Sequence, residues 1–264
     1  KYTLSTNTWG QLTTTGSFHS SLLEHAVVFY NNSIYVFGGW QHSGSNNNDL
    51  YKLDLSQSTP TWSLVSTSGT PPTARRDPSI TMHNSKLIIF GGYTNKLEND
   101  VWEIDLALGT PTWNQLHNGS GVAPSARYGS MMESYQNKLI IFSGSGNDQE
   151  CWEFNLTNNT WSQVTLSGII PPARFWSQHD IVDNKIYLYG GYPNAKNDFY
   201  SLDVTTYTWQ QITSSITLQG MQGHGATVAN NKFYVYGNNQ STTGYTFEYS
   251  IPTTTTSYNP IEIN

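Results

Sequence analysis

Arginine, histidine and cysteine are the side chains of this 264-residue chain best suited to anion binding, metal ligation or nucleophilic attack, and there are few of them. Three of the four arginines, Arg75, Arg127 and Arg174, each stand sixteen residues before Gly91, Ser143 and Gly190. The same position holds Leu22 and Met221 elsewhere in the chain. A guanidinium offers planar, bidentate donors to carboxylate or phosphate. Aromatics cluster near the same positions: Tyr128, Phe175 and Trp176 follow the arginines. Trp40, Tyr93 and Tyr192 follow the glycine landmarks, where Ser145 and Asn239 stand in the other two copies. Arg, Trp and Tyr are enriched in binding hot spots. The nine residues Arg75, Arg127, Arg174, Trp40, Tyr93, Tyr192, Tyr128, Phe175 and Trp176 are therefore the predicted ligand-binding set.

Catalysis and metal binding have weaker support. The seven histidines show no ligand spacing such as His-x-x-x-His. His25 and His224 share one phase, with Glu24 beside the first, but two histidines do not complete a metal site. Cys151 falls in an alternating segment where other copies carry Leu, Val and Phe, so a core role is expected. No Gly-x-Ser-x-Gly elbow occurs, and Gly144-Ser-Gly146 is a loop at the glycine phase. The expectation is no catalytic residue, no metal and no cofactor.

The spacing of these residues comes from an internal repeat. Trp recurs at Trp9, Trp62, Trp113, Trp161 and Trp209, with intervals of 53, 51, 48 and 48. Glycines follow apolar runs such as Leu87-Ile-Ile-Phe90 and Phe233-Tyr-Val-Tyr236. A polar loop and an alternating strand such as Val101-Trp-Glu-Ile-Asp-Leu106 come next. Each unit holds four short strands, a to d, and none reads as a helix. The apolar strand b should be buried on both faces and the repeat Trp should pack between neighbouring sheets. Lys86, Lys138, Lys185 and Lys232 lie five residues before the landmarks, at the a–b turn. About 35 Å of extended chain separates that turn from the arginines, which puts the lysines on the opposite face.

The double glycine after an apolar strand, the aromatic in strand c, the repeat Trp and the Pro-x-x-Arg or Pro-x-Arg step resemble the kelch motif. The resemblance covers residues 1–251 and implies an all-β, kelch-type β-propeller of five four-stranded blades, with part of a six-bladed propeller as the alternative. In the five-blade reading the N-terminal strand (Tyr2-Thr-Leu4 and Trp9-Gly-Gln-Leu12) closes the ring. Residues 252–264 are then a Thr-rich tail, or a final strand at Tyr258–Ile263. In kelch adaptors of ubiquitin ligases, arginines at this phase contact acidic peptides, and the resemblance implies that role for Arg75, Arg127 and Arg174. The hallmarks of kelch-like enzymes are incomplete: Cys151 is a poor match to a copper-site Cys–Tyr crosslink, and no Glu-x-x-x-Asp-x-x-x-His iron motif occurs. A sugar epimerase is the remaining enzymatic alternative.

Composition narrows the partners. Charged residues make up 11% of the chain and the net charge is −6, which argues against nucleic acid. No apolar run approaches 18 residues, which argues against a membrane span. The expected partner is a protein or peptide, acidic on the arginine reading. A glycan stacked on Trp40, Tyr93 and Tyr192 is the alternative. A single cysteine leans towards a cytoplasmic setting, with an extracellular one as the alternative.

Overall fold

The computed structural model describes residues 1–19, 21–146, 148–213, 218–237 and 245–252. Among them every regular element is a strand. Three successive sheets have strands a to d in order. The first is Ala26–Tyr30, Ser33–Phe37, Leu50–Asp54 and Thr61–Leu64. The second is Ser79–His83, Lys86–Tyr93, Leu97–Asp105 and Trp113–His117. The third is Met131–Tyr135, Lys138–Phe142, Cys151–Asn155 and Thr160–Val164. These belong to a compact unit of Lys1–Leu166 with Pro171–Phe175. A second unit, Ser167–Ile170 with Trp176–Asn264, holds two more sheets. One is Gln178–Val182, Lys185–Tyr189, Phe199–Asp203 and Thr208–Gln211, and the other is Gly225–Ala229, Lys232–Gly237 and Tyr245–Ser250.

The a–b hairpins explain the Asn-rich turns. Asn31 and Asn32 have φ of 45° and 55°, and Asn230 and Asn231 have 48° and 58°. Positive φ at both central residues is the two-residue hairpin geometry that matches strand twist, and Asn tolerates it. The apolar strands b are interior, with Leu87, Ile88, Ile89 and Phe90 all fully buried. Within the first unit the sheets pack face to face through the repeat tryptophans. Trp113 of the second sheet lies 5.3 Å from Phe37 of the first, and Trp161 of the third lies 5.4 Å from Phe90 of the second. In the second unit Tyr187, Tyr189 and Phe199 share a core with Phe233, Val235 and Ile251.

The outer edge of strand d carries a feature that the repeat pattern did not predict. The segment entering a sheet runs parallel along that sheet's own strand d: Thr15–Gly16 beside Thr61–Trp62, and Ser167–Gly168 beside Thr208–Trp209. Ser68 makes the same parallel bridge to Thr112. Hydroxyl pairs repeat at all three places, Thr15–Thr61 at 2.8 Å, Ser68–Thr112 at 2.6 Å and Ser167–Thr208 at 2.9 Å.

At the N-terminus, Tyr2–Thr3 and Thr8–Trp9 form a hairpin with Tyr2 opposite Trp9. This is the c–d register of the third sheet, where Phe154 lies opposite Trp161. Trp9 is 53% exposed. The alternative final strand at Tyr258–Ile263 lies outside the described residues.

Candidate functional site

The arginine phase has a structural job that its spacing did not reveal. Gly39 donates its N–H to the Arg75 carbonyl at 2.8 Å, and Arg75 donates its own to the Asn47 carbonyl at 3.0 Å. The Arg75 main chain thus clasps the glycine loop of the first sheet. Its side chain turns the other way, into the second sheet. Nη1 donates to the Gly91 carbonyl at 2.8 Å and to Asp100 Oδ1 at 2.6 Å; Nη2 donates to Asp100 Oδ2 at 2.9 Å. Arg127 repeats the design one sheet on. Gly92 donates to its carbonyl, and its guanidinium reaches the Ser143 carbonyl, Asp148 at 2.8 Å and Glu150 at 3.3 Å. The Arg174 carbonyl accepts from Gly144, and its Nε donates to the Pro172 carbonyl at 3.0 Å.

Arg75, Arg127 and Arg174 are 1%, 0% and 1% exposed. The expectation that they present guanidinium groups to a ligand is therefore corrected: all three are buried, and Arg75 and Arg127 staple consecutive loops. A charge this deep is tolerated when its donors are satisfied and an opposite charge neutralises it, and the acids that open strand c do both for Arg75 and Arg127. Met221 keeps the main-chain half of the design: Gly191 donates to its carbonyl, and its side chain is buried.

The staple also explains the double glycine. A Cβ on Gly38 or Gly91 would stand 2.6 or 2.5 Å from the carbonyl of Arg75 or Arg127, and both glycines have left-handed φ. Ser143 occupies the equivalent position at φ 57°, where its hydroxyl donates to the Asp148 carbonyl and accepts from Arg174 N–H.

A different arginine reaches the surface. Arg76 holds its guanidinium 4.9 Å from the Trp40 ring centre and 5.0 Å from that of Tyr93, with Glu24 3.0 Å from Nη1. Paired main-chain bonds between Arg76 and Tyr93, 3.1 and 2.9 Å, fix the backbone beneath. Asn46 Nδ2 adds a bond to the Tyr93 carbonyl at 3.1 Å. Trp40, Arg76, Tyr93 and Glu24 are all half-buried. Arg76 was absent from the predicted set. The available signal was its position, which Tyr128 and Phe175 occupy in the next two repeats.

The other expected aromatics meet in pairs. Tyr128 and Phe175 touch edge to face at 5.4 Å. In the second unit Trp176 and Tyr192 lie 6.1 Å apart, with Tyr192 41% exposed. The residue one place on in each repeat has left-handed φ: Glu24 55°, Asp77 49°, Gly129 66°, Trp176 56° and Gly223 60°. Their main chains are linked, Asp77 N–H to Glu24 at 2.7 Å and Gly129 N–H to Asp77 at 3.1 Å. Trp in this region is sterically costly, and such residues concentrate at functional surfaces.

Two other reactive side chains, Cys151 and His224, are buried. Cys151 is buried, and desolvation pushes its thiol up to about 12. Burial lowers the imidazole of His224 to about 4, and neither ring nitrogen has a hydrogen-bond partner among the described residues. His25 Nδ1 lies 3.2 Å from the Leu22 carbonyl. Among the described residues no group of three His, Cys, Asp or Glu side chains is placed to hold a metal. The lysines of the a–b turns pair with strand c: Lys86 with Glu103 at 2.9 Å and Lys138 with Glu153 at 2.7 Å.

These staples, glycine loops and tryptophans recur in register through the chain, and the KLHDC2/KLHL20/DRC7 Kelch-repeats domain model matches residues 1–191 and 134–263. The chain belongs to the kelch-repeat family. Among the described residues, its five sheets of three or more strands are the blades of a five-bladed, all-β kelch propeller. Similar proteins include Kelch domain-containing protein 3 of Bos taurus, 27% identical over 62% of this chain and 46% of its own length. Acyl-CoA-binding domain-containing protein 4 of Arabidopsis thaliana is 30% identical over 55% of this chain and 21% of its own. Adagio protein 3 of Arabidopsis thaliana is 35% identical over 47% and 20%. The kelch chain spans less than half the length of each of these relatives.

Proposed function

We propose that this kelch propeller is a non-catalytic interaction module that holds a protein or peptide segment against Trp40, Arg76 and Tyr93. The observation that carries the reading is the Arg76 guanidinium, half-exposed and held between two aromatic rings. Rigid aromatics and a pre-positioned guanidinium lose little entropy on binding and give the contact types that dominate hot spots. Glu24 neutralises Arg76 in the free protein, so an acidic partner side chain would exchange with it. Arg75 and Arg127 are buried and act as staples. Tyr128 with Phe175 supplies further aromatic contact area in the first unit.

The test is selection from a random peptide display library, followed by titration of the enriched peptides. Binders should be rich in Asp and Glu, and Arg76→Ala or Trp40→Ala should weaken them tenfold or more, the scale of a hot-spot truncation. Lys138→Ala, at an a–b turn, should leave them unchanged. Binding untouched by Arg76→Ala and Trp40→Ala would place the ligand elsewhere.

A further inference from the structure

Among the described residues the outer edge of the third sheet is open. In the first, second and fourth sheets a Ser/Thr-Gly pair lies along the Thr-Trp pair that starts strand d. The glycine is required there. Gly16, Gly69 and Gly168 have φ of 79°, 75° and 78°. A Cβ on Gly69 would stand 2.8 Å from the Trp113 carbonyl, and closer still to Trp62 and Trp209 at the other two.

The third sheet starts strand d with the same pair, Thr160-Trp161. The chain also supplies Ser120-Gly121, six residues before Arg127, as Gly69 and Gly168 stand six before Arg75 and Arg174. Gly121 even has the matching φ of 75°. Yet nothing lies within 4 Å of the point its Cβ would occupy, and among the described residues no strand pairs with the outer edge of Thr160–Val164.

The cover is held off by its own loop. Asn118 Oδ1 accepts the N–H and the hydroxyl of Ser120 at 3.0 and 2.7 Å. Asn99 Nδ2 donates to the carbonyls of Gly119 and Pro124 at 3.2 and 2.9 Å, and Gly119 donates to His117 Nδ1 at 3.0 Å. The Thr160 hydroxyl turns to Asn158 Oδ1 at 2.7 Å instead of to a cover hydroxyl.

We propose that this edge is a docking site for an extended partner segment with Ser or Thr followed by Gly, added in parallel beside Thr160–Trp161. The three covered sheets define the chemistry of the occupant. A hydroxyl pairs with Thr160, and glycine follows because a side chain would strike the Trp161 carbonyl. Main-chain bonds supply affinity, as in other strand additions, and the hydroxyl–glycine register supplies selectivity. A two-fold pairing of this strand with its own copy would be antiparallel, whereas every cover in the chain is parallel. The site is independent of the Trp40–Arg76–Tyr93 surface.

The probe is a fluorescent peptide with the sequence Val164–Ile170, titrated into the full chain. Saturable binding is expected. Exchanging the peptide's glycine (Gly168→Ala) should weaken it at least tenfold. Gln163→Pro in the protein should do the same. The repeat pattern directs the Gln163 N–H outward, and proline is tolerated on an edge strand in that orientation, so the melting temperature should hold. Arg76→Ala should leave peptide binding intact. Absence of binding to the wild-type chain, or binding indifferent to both Gln163→Pro and the peptide's Gly168→Ala, would overturn the proposal. A concentration-dependent dimer abolished by Gln163→Pro would also overturn it, in favour of a second copy of the chain.

Discussion

Arg75 and Asp100 stand 25 residues apart in the chain and meet through two parallel hydrogen bonds of 2.6 and 2.9 Å. The pair ties the segment that leads into strand a to strand c. The Arg75 main chain meanwhile holds the preceding sheet's glycine loop. Removing the guanidinium leaves a buried carboxylate without its counter-charge. Arg75→Ala should cost about 3–5 kcal/mol of folding stability, the scale for breaking one side of a buried ion pair. Chemical denaturation reads this directly; a loss below about 1 kcal/mol would return Arg75 to the surface role expected from its spacing.

The glycine loop should be as sensitive as the staple it receives. Gly91 has φ of 61° and its missing Cβ points at the Arg127 carbonyl, 2.5 Å away. Gly91→Ala should cost at least about 2 kcal/mol, from left-handed strain and the displaced loop together. Gly109, with no atom within 4 Å of its Cβ position, is the control and should tolerate Ala. The comparison is between two midpoints in one denaturant series.

Tryptophans should separate into two classes by thermal unfolding. Trp113 is buried against Phe37, so Trp113→Ala leaves a cavity worth about 3–5 kcal/mol. Trp40 is half-buried and covers the face of Arg76. Trp40→Ala should cost about 0.5–1 kcal/mol, the usual size of an exposed cation–π contact. Equal losses would contradict the division between core and surface tryptophans.

His224 should make the protein acid-sensitive. Above about pH 6.5 the ring is neutral in both folded and unfolded chains. As the pH falls towards 4 the unfolded chain takes up its proton first, because burial lowers the folded value to about 4. Stability is therefore lost across that window, by up to about 3 kcal/mol. Burial lowers His25, His83 and His117 as well, and they act in the same direction. His224→Gln should flatten the dependence of melting temperature on pH between 6.5 and 4. An unchanged slope would show that the ring reaches water in the folded protein.

Local pattern determined the fold. Four-strand units, buried strands b, Asn hairpins and the packing role of Trp113 and Trp161 all follow from periodicity and turn chemistry, which act over a few residues and repeat in every copy. The candidate site was legible only in part. Trp40 and Tyr93 were expected on one face from their phase, but Arg76, which lies against both rings, was not. Cation–π stacking depends on which side of the backbone a guanidinium leaves, and a repeat phase does not carry that information. The same limit hid the burial of Arg75, Arg127 and Arg174. Their spacing puts them at the loop end of strand a, and an arginine there can face water or an acid. Tertiary structure chose the acid, because strand c brings Asp100 to Arg75, and Asp148 and Glu150 to Arg127, in sites where a guanidinium must satisfy its donors. The open edge of the third sheet was decided in the same way. Ser120-Gly121 reads like every other cover, but its loop is bonded to Asn99, His117 and Asn118, and Thr160 is bonded to Asn158.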